Sequence, residues 1–196
     1  MFSNRFTALI DACSLVGVLR RDLLLTLAEA GFFRLRWSEP ILDEAERAIR
    51  GIMAHKGEVA SVDHASRARL AMEEAFPEAV VIDFDAFLPS CAGLPDQKDA
   101  HVVAAAMKIQ AAVIVTENLR HFPSAHLAKM NIEARSADIF IADTIALEPG
   151  RAVAAVKRMR QRYRKPELTP DSLLSKMEGQ GLIETVDVLR FHRESL

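Results

Sequence analysis

Short apolar runs that stop abruptly at a polar residue alternate with longer stretches of helical periodicity, and this alternation restricts the fold more than any other feature of the chain. Residues 6–10 (FTALI) read as a buried strand halted by Asp11. Residues 79–83 (AVVID), 112–116 (AVIVT) and 132–135 read as further strands. Between the first two strands, residues 15–30 read as one crossover helix stopped by Gly31, with Leu19, Leu23, Leu24 and Leu27 inside and Arg20, Arg21 and Asp22 outside. Ser38 is suited to cap a helix that Glu39 and Pro40 open and that runs towards Ile52. A further helix covers residues 62–76 and ends at Pro77, and another opens at Pro95 and Asp96 and is apolar on most sides. Strands joined by helices in this way predict an α/β/α sandwich with a mainly parallel central sheet.

The composition changes after Pro149. Residues 157–165 carry six basic side chains in nine positions, Pro166 ends that helix, Thr169 caps the next one up to Gly179, and a last helix starts near Leu182. We therefore expect a principal domain over residues 1–146 and a helical C-terminal extension over residues 147–196. With 196 residues, half of them apolar, a second full core is not expected.

Several function classes fall away. The formal charge of −2 is not that of a polycation that clings to nucleic acid indiscriminately, so any phosphate-binding surface must be local. Cys13 and Cys91 form no C-x-x-C pair, which leaves a disulfide scaffold or zinc site without support and makes the reducing cytoplasm the expected compartment. Asp11 interrupts the apolar opening segment, which fits neither a signal peptide nor a membrane span.

What remains is a set of acidic and polar groups at the ends of elements. Carboxylates gathered at one sheet edge repel one another, and a hard divalent cation is the usual remedy. Asp11 closes the first strand, where open parallel sheets place ligand groups. Asp96 and Asp99 open an apolar helix; Asp96 reads as its cap or an outer group and Asp99 as a ligand. Glu44 and Glu46 lie on opposite margins of the stripe made by Ile41, Ala45, Ala48 and Ile49, and periodicity does not choose between them. The six histidines form no metal pattern; His101 and His121 are each near enough to the acids to touch a substrate.

Taken in order, ALIDACSLV, WSEPILDEAERAI, LPDQKDAHVVAAA and VIVTENLRHFP resemble the motifs of the PIN-domain ribonucleases, especially the VapC-type toxins of toxin/antitoxin modules and their longer relatives, over roughly residues 8–140. The resemblance implies Asp11, Glu44 and Asp99 as acids of a Mg²⁺ or Mn²⁺ site, Thr116 as the hydroxyl that orders it, and Asn118 as the residue completing the metal environment. Many family members have Asp at that last position, so this chain keeps an oxygen donor and loses a charge. Ser14 is the small polar residue that follows the first acid, as a site hydrogen-bonder or a helix cap. The resemblance further implies RNA as substrate, an antitoxin that inserts a basic side chain among the acids, and self-association into a homodimer. Arg158, Arg162 and Lys165, with Tyr163 as a stacking surface, are the candidate RNA contacts of the basic stretch. Two other functions compete: a catalytically weak or inactive RNA-binding or protein-interaction module on the same fold, and an aspartyl-phosphate phosphatase or receiver-like switch. The second lacks the acid that such a phosphatase needs two residues after Asp11, where Cys13 stands.

Overall fold

The computed structural model describes residues 6–55 and 61–196; Met1–Arg5 of the opening segment lie outside them. In chain order the elements are β1 (Thr7–Ile10), α1 (Ala12–Val16), α2 (Val18–Glu29), β2 (Arg34–Ser38), α3 (Glu39–His55), α4 (Ser61–Ala75), β3 (Val80–Val81) and α5 (Ala100–Lys108). They continue with β4 (Val113–Val115), α6 (Ser124–Leu127), β5 (Glu133–Arg135), α7 (Ala137–Leu147), α8 (Pro149–Arg162), α9 (Pro170–Gly179) and α10 (Ile183–Arg190). The chain divides into two compact units: residues 1–16 with 34–135, and residues 17–33 with 136–196.

The first unit is built on one five-stranded sheet of order β3-β2-β1-β4-β5, parallel at every pairing. This is the expected α/β/α sandwich class. Ala8, Leu9 and Ile10 of β1 and Ile114 and Val115 of β4 are fully buried, as central strands of a parallel sheet must be. α5 is buried from Val102 to Ala106, so its apolar circumference reflects a central position. Trp37 of β2 meets Phe76 edge-on at 6.1 Å.

In the second unit α2 packs on α7 and α8, and α10 on α7 and α9. Phe33 and Phe140 cross edge-to-face at 4.9 Å, and the Arg151 guanidinium lies 4.2 Å from the centre of the Phe32 ring. Val153, Val156 and Met159 form the buried side of α8. Asp138 of α7 caps a different helix: its two carboxylate oxygens accept the Glu184 and Thr185 amides of α10, each at 2.9 Å. Gly31 ends α2 at φ 79°, where the Phe32 amide bonds the Leu27 carbonyl at 3.1 Å.

Several expectations need correction. The helix expected over residues 15–30 is two, because Gly17 adopts an extended ψ of 120° and separates α1 from α2. Arg21, expected outside, is buried, and that burial lowers its pKa against the opposing charge of Asp22. β3 is only two residues long, and the chain leaves it through Asp83 at φ 56°. α8 stops at Arg162, short of Pro166. α7 was not anticipated: it is apolar around its circumference and so carries no amphipathic period, although Ser136 caps it by accepting the Ile139 amide at 3.3 Å.

Candidate active site

β1 and β4 are paired with Ile10 opposite Val115, so the residues that follow, Asp11 and Thr116, emerge side by side at the carboxyl ends of two neighbouring strands. The chain builds the sheet outwards from β1 in both directions, which makes this edge the topological switch point where parallel sheets bind ligands. Asp11 is 4% exposed and both its carboxylate oxygens are hydrogen-bonded. Oδ1 accepts the Ala12 amide at 2.7 Å; Oδ2 accepts the Thr116 hydroxyl at 2.6 Å and the Cys13 thiol at 3.1 Å. Thr116 Oγ1 in turn accepts the Asn118 amide at 3.1 Å, which fixes the turn that presents Asn118. Burial, followed by the charge of Asp11, pushes the Cys13 thiol up to about 11, against the pull of its bonds to Thr116 and the Glu117 amide. Cys13 is therefore a protonated donor to Asp11 at neutral pH. Ser14 is buried and braces α1, its hydroxyl donating to the Val115 carbonyl at 3.3 Å.

α3 supplies the opposite wall. Ser38 occupies the position before its first turn, but its hydroxyl has no hydrogen-bond partner among the described residues, so the expected cap bond is not made. Glu44 and Ala48, one turn apart, face the same cavity as Asp11. Glu46 turns away, to Arg50 at 2.8 Å, Ser66 at 2.8 Å and Arg69 at 3.4 Å. The choice that periodicity left open is thus made by the cations of the neighbouring turn and of α4. The Ser66 hydrogen bond, aided by Arg69 and Arg50, holds the Glu46 carboxyl below its ordinary range.

The third wall is the approach to α5. Asp96 caps a short 3₁₀ turn, its Oδ1 accepting the Lys98 amide at 3.0 Å. Asp99 then stands before α5 without making a cap bond, and its Oδ2 lies 2.7 Å from His121 Nδ1. His101 Nε2 is 3.3 Å from a Glu44 oxygen, near enough for attraction but misaligned for a hydrogen bond. His101, His121 and Cys13 thus partner the acids in ways the sequence reading did not assign. The readable signal was position alone: each lies within three residues of a site residue.

These walls enclose a cavity of about 360 Å³ that brings Asp11, Glu44, Asp99 and Asn118 together, with Cys13 and Val16 beside them. Thr116 lies behind Asp11 and Asp96 beside Asp99. Arg158, Arg162 and Lys165 belong to the second unit. There Arg162 pairs with Glu29 at 3.1 Å, while Arg158 and Lys165 are exposed. Tyr163 is half-buried and donates its hydroxyl to Asp22, so the expected open stacking ring is anchored instead.

The cavity suits a divalent ion. Asp11, Glu44 and Asp99 have amide, hydroxyl, thiol and imidazole partners and, among the described residues, no lysine or arginine. Asp11, Glu44 and Asp99 do not form a set of ligand atoms within 4.8 Å of one another, so an ion among them would reach some of them through water. The one set of three donors drawn within 4.8 Å of one another among the described residues is Asp96, Asp99 and His121. Mg²⁺ retains several waters and commonly takes only one or two carboxylates directly.

A family model described as the PIN domain matches residues 7–120, and so covers all four residues that converge on the cavity. The chain belongs to the PIN-domain family. A second model, described as the VapC50 C-terminal domain, matches residues 137–191 beyond the PIN domain. A Mycobacterium tuberculosis protein named "Putative ribonuclease VapC50" is 41% identical over 83 residues, which are 42% of this chain and 49% of that protein. The match thus spans about half the length of this curated relative. No solved structure matches the chain.

Proposed function

We propose that this PIN domain is a metal-dependent endoribonuclease that hydrolyses RNA phosphodiester bonds, and that it is the toxin of a toxin/antitoxin module. The observation that carries this reading is the cavity at the ends of β1 and β4, where Asp11, Glu44, Asp99 and Asn118 meet with no cationic side chain among the described lining residues. Mg²⁺ or Mn²⁺ would be held by the three carboxylates and the Asn118 amide oxygen, and supplies, when bound, an acidified water and charge to offset the phosphate. The chain's own part is orientation. Three donors lock the Asp11 carboxylate, the neutral thiol of Cys13 keeps a second anion away from it, and His101 and His121 stand against Glu44 and Asp99. The name of the mycobacterial relative and the family membership support RNA as the substrate. By the same reasoning the partners are an antitoxin that inserts a basic side chain among the acids and a second copy of the chain, and the compartment is the cytoplasm. No described helix is long and apolar enough to cross a membrane. The nuclease reading is assigned to residues 1–146, with residues 147–196 as an extension.

The test is cleavage of labelled RNA by the full chain with Mg²⁺ or Mn²⁺ and after chelation. We expect cleavage that chelator abolishes and re-added metal restores; chelator-resistant cleavage, or none with either metal, contradicts the proposal. A specific observation favours one second reading, a non-catalytic RNA-binding module: Asn118 is neutral, and the acids of the cavity are more widely set than the group that includes His121. RNA binding without cleavage under saturating metal would select it.

A further inference from the structure

We propose that a cavity at the amino ends of β4 and β5 binds an adenine nucleotide, with the base on Phe87, its edge on the Gln110 and Asn131 carboxamides and its phosphate on Lys129. The cavity measures about 430 Å³, more than the acidic one, and shares no lining residue with it, so the site is independent of the nuclease reading. Gln110 and Asn131 stand just before β4 and β5, whereas Asp11 and Thr116 leave their strands at the carboxyl ends. The length of β4 separates the two cavities.

Two helix ends build the site with one motif. After α5 the Gln110 amide donates to the Met107 carbonyl at 3.1 Å and the Ala111 amide to the Ala106 carbonyl at 2.9 Å. After the 3₁₀ turn Ala128–Met130 that follows α6, the Asn131 amide donates to the Ala128 carbonyl at 3.1 Å and the Ile132 amide to the Leu127 carbonyl at 3.2 Å. Each pair closes a helix through a left-handed residue, and Gln110 and Asn131 have φ of 51° and 56°. Glycine is the residue such a backbone favours and asparagine a common substitute; glutamine is neither. A long carboxamide kept at a glycine position marks a side chain with a use beyond the turn.

The side chains around this frame are open to a ligand. Gln110, Lys129 and Asn131 are exposed, and none has a side-chain hydrogen bond or ion pair among the described residues. Phe87 is half-buried, and its ring pairs with no other ring among them. Met107 and Met130, also half-buried, add polarizable thioethers that adapt to a flat ring. An unpaired base stacks on an aromatic face, and a Gln or Asn carboxamide, with a donor beside an acceptor, matches adenine N7 and N6. Lys129 is the one charged group among the described lining residues, which fits a phosphate. An aliphatic acid would use Lys129 and the thioethers but cover both carboxamides without pairing them, which desolvation penalises.

Calorimetry of adenosine monophosphate and of a short oligoadenylate on the full chain tests the site, with chelator present so that no divalent ion bridges phosphate to the acids. We expect the monophosphate to bind, uridine monophosphate to bind at least about fivefold more weakly, and Gln110→Gly to lose about tenfold while its melting temperature holds or rises, since glycine suits the backbone there. Lys129→Gln should weaken binding about threefold or more and flatten its dependence on salt. An oligoadenylate held more tightly than the monophosphate, and weakened equally by Gln110→Gly, supports the site with an unpaired residue of RNA as its source of nucleotide; equal or weaker binding supports it with the free nucleotide. No binding of either by the unaltered chain, equal affinity for the uridine nucleotide, or binding that Gln110→Gly and Lys129→Gln leave unchanged overturns the site.

Discussion

Carboxylates crowd together at two places in the first unit, and they are treated in opposite ways. On the outer side of α3, Glu39, Asp43 and Glu46, joined by Glu73 of α4, surround Arg69: Asp43 at 2.5 Å, Glu73 at 3.1 Å, Glu46 at 3.4 Å and Glu39 in direct contact. Arg69 is mostly buried by these partners, and their charge raises its pKa despite the loss of solvent. On the inner side of the same helix Glu44 meets His101, and across the cavity Asp11 and Asp99 have hydroxyl, thiol, amide and imidazole partners. Acids that a guanidinium already neutralises hold α3 and α4 together; acids left without one are poised for a cation from solution.

Asp99→Asn should separate the two clusters most sharply. It removes a charged ligand while conserving shape, so metal-dependent RNA cleavage should fall by more than about 100-fold, with the melting temperature of the metal-free chain unchanged or raised as repulsion is relieved. An unfolded variant, or one with ordinary cleavage, would erase the distinction. Arg69→Met is the converse change. It takes the shared cation from four carboxylates, of which Glu46 keeps Arg50, and should cost about 2 kcal/mol in denaturant unfolding, while the Mg²⁺ affinity of folded protein stays near that of the unaltered chain.

The pH response follows from the same cluster. Glu46 ionises at a lower pH in the folded chain than in the unfolded one, with the Ser66 bond as the first cause. Its contribution is therefore complete above the unfolded carboxylate value of about 4.3, and is lost as pH falls through the depressed folded value. Urea midpoints measured from pH 7 to pH 3 should drop below about pH 4.3, and less steeply in Arg69→Met. Equal slopes would mean that Arg69 does not set the charge state of this cluster.

Asn118→Asp should bring a smaller gain. A fourth anionic oxygen in the cavity should tighten Mg²⁺ several-fold by calorimetry, whereas unchanged or weaker binding would place Asn118 outside the coordination shell. The smallest expected effect is in the second unit. Arg158, Arg162 and Lys165 changed together to Gln should weaken RNA binding and flatten its dependence on salt, with Arg162 contributing least because Glu29 already holds it. A salt slope that does not move would make the basic stretch of α8 a solvated face whose Arg160 and Lys157 serve the Leu168, Leu196 and Ser195 carbonyls.

How far the sequence could be read followed the range of the interactions involved. β1 and β4 were legible because each is an apolar run cut short by a polar residue; Asp11 could be nominated by its position at the end of β1, whereas Thr116 and Asn118 after β4 were nominated by family resemblance. Whether Glu44 or Glu46 faces the cavity was not legible, since the answer depends on Arg69, more than twenty positions away. The partnership of Cys13 with Asp11 and Thr116 was hidden for a similar reason: Thr116 reaches Asp11 only through the parallel pairing of β1 with β4. α7 escaped because its exposed side carries Ile139 and Leu147, so apolar residues lie all round the helix and leave no period to detect. Gly17 broke the expected long helix at a residue whose cost in a helix, about 1 kcal/mol, is too small to decide from local propensity.

The most direct test of the cavity as a divalent-cation site is a crystal structure of the full chain grown with Mn²⁺, read by the manganese anomalous signal. We expect a peak among Asp11, Glu44, Asp99 and Asn118 that disappears in Asp99→Asn crystals grown under the same conditions. Anomalous density elsewhere on the chain with none in this cavity, at a Mn²⁺ concentration that supports RNA cleavage, would contradict the account.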